Sequence, residues 1–183
     1  MLEVRETALS GVLEILPRRI GDDRGFFSEV WSERIFRDAG IDLAFVQDNH
    51  SRSACGVLRG LHYQLEPVAQ AKLVRVSRGS VYDVALDIRR SSPTFGQWTA
   101  VTLSANSWNQ LLVPAGFAHG FLALEDGSEV QYKVSGPYSP EHDRGIRPDD
   151  SAIGIDWPMP REAWLLSAKD QNAPLLAEAD VFA

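Results

Sequence analysis

The stretch GVLRGLHYQLEPVAQAKLVRVSRG, Gly56 to Gly79, decides how this chain reads. It contains two runs of strand-forming residues, Gly56–Gln64 and Lys72–Ser77, and reads as a candidate hairpin that brings Arg59, His62 and Lys72 together. A guanidinium can grip phosphate, an imidazole can move a proton near neutrality, and an ammonium can stabilise a growing negative charge. By strict alternation Arg59 and His62 fall on opposite faces, so the reading needs a bulge, and Gly60 between them is the residue to supply it. Lys72 shares its face with Val74 and Val76, and a cation in apolar company is expensive unless it has a partner or a task.

Similar runs follow one another outward from this stretch. Strands are expected at Val12–Ile15, Phe26–Trp31, Phe45–Ser51, Val81–Ile88, Gln97–Leu103, Gln110–Val113, Phe117–Leu124 and Glu129–Gly136, separated by Gly and Pro. Many short strands with almost no helical period between them indicate an all-β antiparallel sandwich or barrel of the jelly-roll kind. Helix is expected for ERIFRDA after a Ser32 cap, ended by Gly40, and for a short segment at REAWLL. In EVQYKV the alternation turns Tyr132 inward with Val130 and Val134. With 183 residues, 44% hydrophobic and 23% charged, the chain suits one domain spanning residues 1–183, ending in a tail from about residue 171.

Composition narrows the function. A net charge of -7 argues against a nucleic-acid partner, so an anionic substrate would have to be met by a few focused cations. No apolar run is long enough to cross a bilayer, and the amino terminus lacks a secretory pattern, which leads one to expect a soluble, cytoplasmic protein with no membrane partner. The lone Cys55 excludes a disulfide framework. Barrel metal sites favour two histidines one residue apart on a strand. His62 is followed by Tyr63 and Gln64, and His50 and His142 fall in expected loops, so no metal is expected. Neither a strained serine elbow nor a phosphate-cradling glycine loop occurs. General acid–base chemistry remains, with His62 as base, Asp170 or Asp83 to fix its tautomer, Tyr132 as acid and Lys72 beside an oxyanion.

Longer motifs then line up in order: RGFFSEVW from Arg24, FVQDNHSRSACGVLRGLHYQ, AQAKLVRVSRGSVYDVALDIRRSSPTFGQW, LLVPAGFAHGF, VQYKVSGPYSPEHDRGIRPDD and LSAKD. On these the chain resembles the dTDP-4-dehydrorhamnose 3,5-epimerase family, whose fold is a double-stranded β-helix of the cupin type. The resemblance implies His62 as proton acceptor, Tyr132 as donor, Asp170 as the partner that orients the histidine, and Lys72 beside the 4-keto oxygen. It implies substrate contacts at Arg24, Glu29, Gln47, Asp48, Asn49, Arg59, His119 and Lys169, and a base-stacking ring at Tyr138. Asp143 falls where the family often has a glutamate. The implied reaction is conversion of a dTDP-linked 4-keto-6-deoxy sugar to dTDP-4-dehydro-rhamnose, without cofactor, by a homodimer that exchanges amino-terminal strands. A relative that inverts one carbon, or isomerises the keto group, would share these residues.

Overall fold

A computed structural model describes residues 2–183. Thirteen strands and two short helices follow in order: β1 (Glu3–Glu6), β2 (Leu13–Leu16), β3 (Ile20–Asp22), β4 (Gly25–Phe27), α1 (Glu33–Asp38), β5 (Gln47–Ser53), β6 (Leu58–Gln64), β7 (Lys72–Arg78), β8 (Ser80–Asp87), β9 (Trp98–Ser104), β10 (Gln110–Val113), β11 (Phe117–Ala123), β12 (Ser128–Val134), β13 (Asp143–Gly145) and α2 (Ala168–Gln171). They form a six-stranded sheet, β1-β2-β10-β7-β12-β5, a five-stranded sheet, β13-β6-β11-β8-β9, and a separate β3–β4 ribbon. Every pairing between these strands is antiparallel. This is the jelly-roll architecture that the spacing of short strands indicates.

Alternation explains how two sheets become one body. Val74, Val76, Val81, Ala85, Leu111, Val113, Phe117, Phe121 and Val130 point into the gap between the sheets and are buried there. The opposite face of the five-stranded sheet presents Leu58, Tyr63, Val84, Leu86, Ile88 and Leu122, and the carboxyl-terminal segment covers it with Ile153, Trp157, Leu176 and Ala179. The tail therefore belongs to the core, and the Tyr63 hydroxyl fastens it by donating to the Asp180 carbonyl at 2.6 Å. Phe36 and Ile41, from α1 and the turn after it, cover Leu73 and Leu112 on the outside of the six-stranded sheet. Each such side chain moved out of water contributes roughly 1.5–3 kcal/mol.

Several expectations are corrected. β6 and β7 are not a hairpin. β6 pairs with β11 and β13, whereas β7 pairs with β10 and β12, so the connection crosses from one sheet to the other. The strand expected at Phe26–Trp31 stops at Phe27, where the Ser28 hydroxyl turns aside to the Arg18 carbonyl and accepts from the Trp108 indole. Ser32 occupies the cap position of α1 without a side-chain cap bond. At REAWLL only a single 3-10 turn forms, Arg161–Ala163. His50 lies within β5, where the strand expected at Phe45–Ser51 puts it, and not in a loop.

The expected bulge is present. His119 pairs with His62 and Phe121 with Arg59, so two steps on β11 answer to three on β6. Gly60 takes the extra position at φ 119°, and a Cβ there would stand 2.5 Å from the Gly120 Cα and 2.8 Å from the His119 carbonyl oxygen. Gly60→Ala should therefore lose at least about 3 kcal/mol in urea unfolding, because backbone strain and a backbone clash add. Gly154→Ala, at φ 63° but with its Cβ no closer than 3.8 Å to the Ser151 carbonyl oxygen, should lose only about 1 kcal/mol. Equal losses would show that the close approach of β6 and β11 is unimportant.

Candidate active site

The bulge and the crossover create one cavity of about 550 Å³ at one end of the gap between the sheets. Arg59 and His62 enter it from β6 and His119 from β11; Lys72 and Tyr132 enter from the facing sheet, on β7 and β12. Gln47 and Asn49 from β5, Tyr138 and Asp143 from around β13, and Ser167, Lys169 and Asp170 from the α2 region add to the polar lining. Leu165, Leu166, Val57 and Phe121 supply apolar wall.

Nε2 of His62 donates to Asp170 Oδ1 at 2.6 Å. That fixes the tautomer and leaves the Nδ1 lone pair free. The His62 side chain is 32% exposed and that of Asp170 only 4%, so the imidazole is reachable while its partner is sealed. Ser167 holds Asp170 twice: its hydroxyl donates to Asp170 Oδ2 at 2.9 Å and accepts from the Asp170 amide at 3.1 Å. Burial works to raise the Asp170 pKa. Hydrogen bonds from His62, Ser167 and the Gly60 amide, together with the His62 charge, outweigh it and hold the group below the usual carboxylate range.

Lys72 is buried and its Nζ donates to the His62 carbonyl at 3.0 Å. Burial pulls its pKa down to about 8, against the charges of Asp143 and Asp83, which favour the ammonium. Burial raises the Tyr132 phenol, with Arg59 opposing and Asp143 reinforcing the shift, so this phenol keeps its proton at neutral pH. Arg59 is braced by the Ser53 hydroxyl and the Arg52 carbonyl. At the rim, Asp143 accepts from the Tyr138 hydroxyl at 3.1 Å and pairs with Lys169, a bridge its short side chain does reach.

Three sequence-derived positions lie outside this cavity. Asp48 sits between Gln47 and Asn49, so alternation sends it to the other face of β5, where it pairs with Lys133 at 2.7 Å. Arg24 pairs with Asp22 on the exposed ribbon, and Glu29 is exposed beyond its end. Of the two carboxylates considered for His62, Asp170 is the partner; Asp83 is taken by His119, at 2.8 Å from Nε2. Ser167 was missed, although a serine three residues before an acid at the start of a helix is a capping signal. Among the described residues no three His, Cys, Asp or Glu side chains gather as a metal-binding group, and no helix is long and apolar enough to cross a membrane.

Two facing antiparallel sheets with a histidine–carboxylate pair, a buried lysine and a phenol in the space between them define a cupin-type protein equipped for acid–base chemistry. The profile of dTDP-4-dehydrorhamnose 3,5-epimerase matches residues 6–178. The chain is 51% identical to the dTDP-4-dehydrorhamnose 3,5-epimerase of Shigella flexneri over 99% of both chains, and 52% identical to that of Sinorhizobium fredii over 95% of this chain and 89% of the relative. A dTDP-6-deoxy-D-glucose-3,5-epimerase from Legionella pneumophila, solved in complex with dTDP-4-keto-L-rhamnose, superposes with a TM-score of 0.94 at 45% identity, covering 98% of this chain and 95% of that one. The chain belongs to the dTDP-4-dehydrorhamnose 3,5-epimerase family.

The depressed Lys72 pKa has a consequence for stability. Between about pH 8 and the ordinary lysine value near 10.4, the unfolded chain binds a proton that the folded one does not, so stability rises with pH across that window. Below it the full burial penalty applies. Lys72→Met should therefore stabilise the protein at pH 7 by on the order of 2 kcal/mol and remove the rise between pH 8 and 10, as read by urea midpoints. A destabilised Lys72→Met would contradict the penalty.

Proposed function

We propose that the chain epimerises dTDP-4-dehydro-6-deoxy-D-glucose at C3 and C5, giving dTDP-4-dehydro-L-rhamnose for dTDP-rhamnose biosynthesis, using these side chains and no cofactor. The observation that carries this reading is the entry of base and acid from opposing sheets, His62 on one and Tyr132 on the other, into one cavity with Lys72. Hydrogens on the two carbons flanking a C4 ketone are acidified by it. The free Nδ1 of His62 takes one of them, and Asp170 stabilises the imidazolium that results. The electron pair moves onto the ketone oxygen, where the Lys72 ammonium meets it; such a preorganised donor accounts for about 10²–10³ in rate. Tyr132 returns a proton to the other face of the carbon, inverting it. Exchange with solvent resets both groups, and a shift of the ring presents the second carbon.

Arg59 is the cation for the pyrophosphate, and His119 and the amides of Gln47 and Asn49 are further polar contacts for the substrate. Tyr138 stacks on the nucleotide base, and Asp143 and Lys169 close the rim around it. We read residues 1–183 as a single catalytic domain and place the reaction in the cytoplasm, with its nucleotide-sugar substrate.

In deuterated water the product should carry label at both C3 and C5; label at one carbon alone would make this a single-carbon epimerase. His62→Ala should abolish exchange at both carbons. Tyr132→Phe should suppress inversion more than exchange, and a parallel fall of the two would remove Tyr132 as the acid on the opposite face.

We further propose a homodimer. The ribbon exposes Ile20, Phe26 and Phe27 at 53%, 53% and 66%, a large apolar surface for a free hairpin, and it carries Arg24 with Glu29 close behind. An exchanged ribbon brings both to the partner's cavity. Mixing inactive Arg24→Ala with inactive His62→Ala, after brief denaturation and refolding together, should recover part of the activity because one cavity of each mixed dimer is then intact. No recovery would confine Arg24 to its own chain.

A further inference from the structure

The ammonium of Lys72 is buried with one hydrogen bond, to a neutral carbonyl, and makes no ion pair among the described residues. The charged and titratable groups around it come from six elements: Asp83 on β8, Asp143 on β13, Lys169 and the His62-bound Asp170 on α2, His119 on β11, Tyr132 on β12, and Arg59 and His62 on β6. Two of these are carboxylates that favour the ammonium, Asp143 and Asp83. Asp143, the stronger of the two, is already committed: it pairs with Lys169 and accepts from the Tyr138 hydroxyl. Asp83 is different.

Asp83 is completely buried. It follows the inward alternation of β8 between Val81 and Ala85, both part of the apolar core between the sheets, and pairs in register with Phe121 and Val101. Its Oδ1 accepts from His119 Nε2 at 2.8 Å, while its Oδ2 has no partner at all. The imidazole thus satisfies Oδ1 and leaves Oδ2 bare. An ion without solvent and with one bare oxygen is a costly thing to keep in an apolar interior unless another charge uses it.

We propose that Asp83, held in place by His119, is the fixed counter-charge that keeps Lys72 protonated, and so is a positioning residue for the group that stabilises the enolate. The link to catalysis rests on the epimerase reading, but the link between Asp83 and Lys72 does not need it. A carboxylate that touched Lys72 directly would hold its nitrogen away from the ketone oxygen. One set deeper in the core preserves the charge and leaves the ammonium free to turn toward substrate.

The chain's lysines are Lys72, Lys133 and Lys169, so protein labelled with [ε-13C]lysine gives three resonances, assigned with Lys133→Arg and Lys169→Arg. Titrated without substrate, Lys72 should respond near pH 8, and in Asp83→Asn its midpoint should fall by about one unit or more while Lys133 and Lys169 stay where they were. The alkaline limb of the solvent-exchange rate should fall with it, whereas a merely structural weakening lowers the rate alike at every pH. An unmoved Lys72 midpoint in folded Asp83→Asn overturns the proposal. If Asp83→Asn does not fold, Lys72→Met provides the reciprocal test: with [γ-13C]aspartate the Asp83 carboxyl should titrate higher than in the wild type, and an unchanged midpoint overturns the proposal equally. Absence of label in the exchange assay would instead count against the epimerase reading and leave the titration result standing.

Discussion

The structure depends on how the gap between two antiparallel sheets is filled. At one end Val, Leu and Phe side chains from both sheets interdigitate and exclude water, and this gives the chain its stability. At the other end the same inward positions carry His62, Lys72, His119 and Tyr132, with Asp83 buried beneath His119, and the apolar core gives way to an open cavity. Charges so placed are tolerated only if each is held by a partner, so every one of them brings a second residue with it. Asp170 comes with His62, Ser167 with Asp170, His119 with Asp83, and the His62 carbonyl with Lys72. The site is thus a set of compensated burials, arranged so that the groups at the cavity surface remain free for substrate.

Stability and function pull against each other at Lys72. Its burial disfavours the charge that makes it useful, and the protein retains that charge through carboxylates on two other strands. The His62–Asp170 pair works the other way: its hydrogen bonds hold Asp170 ionised, and the sealed carboxylate lends the exposed imidazole its orientation. Two neighbouring inward positions, paired directly across β6 and β11, therefore hold histidines with different surroundings, one partly open and one buried on its carboxylate.

Much of this was legible in the order of residues. Period-two alternation placed Lys72 and Tyr132 inward, and Gly60 marked the bulge that turns Arg59 and His62 to one side. What alternation cannot supply is which strands pair. The segment joining β6 to β7 reads equally well as a hairpin turn or as a crossover between sheets, and only the crossover lets Lys72 face His62 across a cavity. The same blindness to pairing left both Asp83 and Asp170 open as partners of His62 until the family resemblance pointed to Asp170, since one histidine lies beside each only after folding. Asp48 was carried by resemblance as part of a run, although its own alternation against Gln47 and Asn49 turns it away. Arg24 lies on a ribbon, and Glu29 just beyond it, whose Ile20, Phe26 and Phe27 stay more than half exposed within the chain, and alternation along one chain does not bring either residue to a cavity.

The central claim is geometric: base and acid stand on opposite sides of one sugar ring with the lysine at its ketone oxygen. A crystal structure with a bound, non-reacting dTDP-linked sugar tests it most directly. The account predicts His62 Nδ1 and Tyr132 Oη on opposite faces of the ring carbon next to C4, each within about 3.5 Å of it, and Lys72 Nζ within hydrogen-bond distance of the oxygen on C4. A ring bound with both groups on the same face, or with Lys72 turned away from that oxygen, would contradict it.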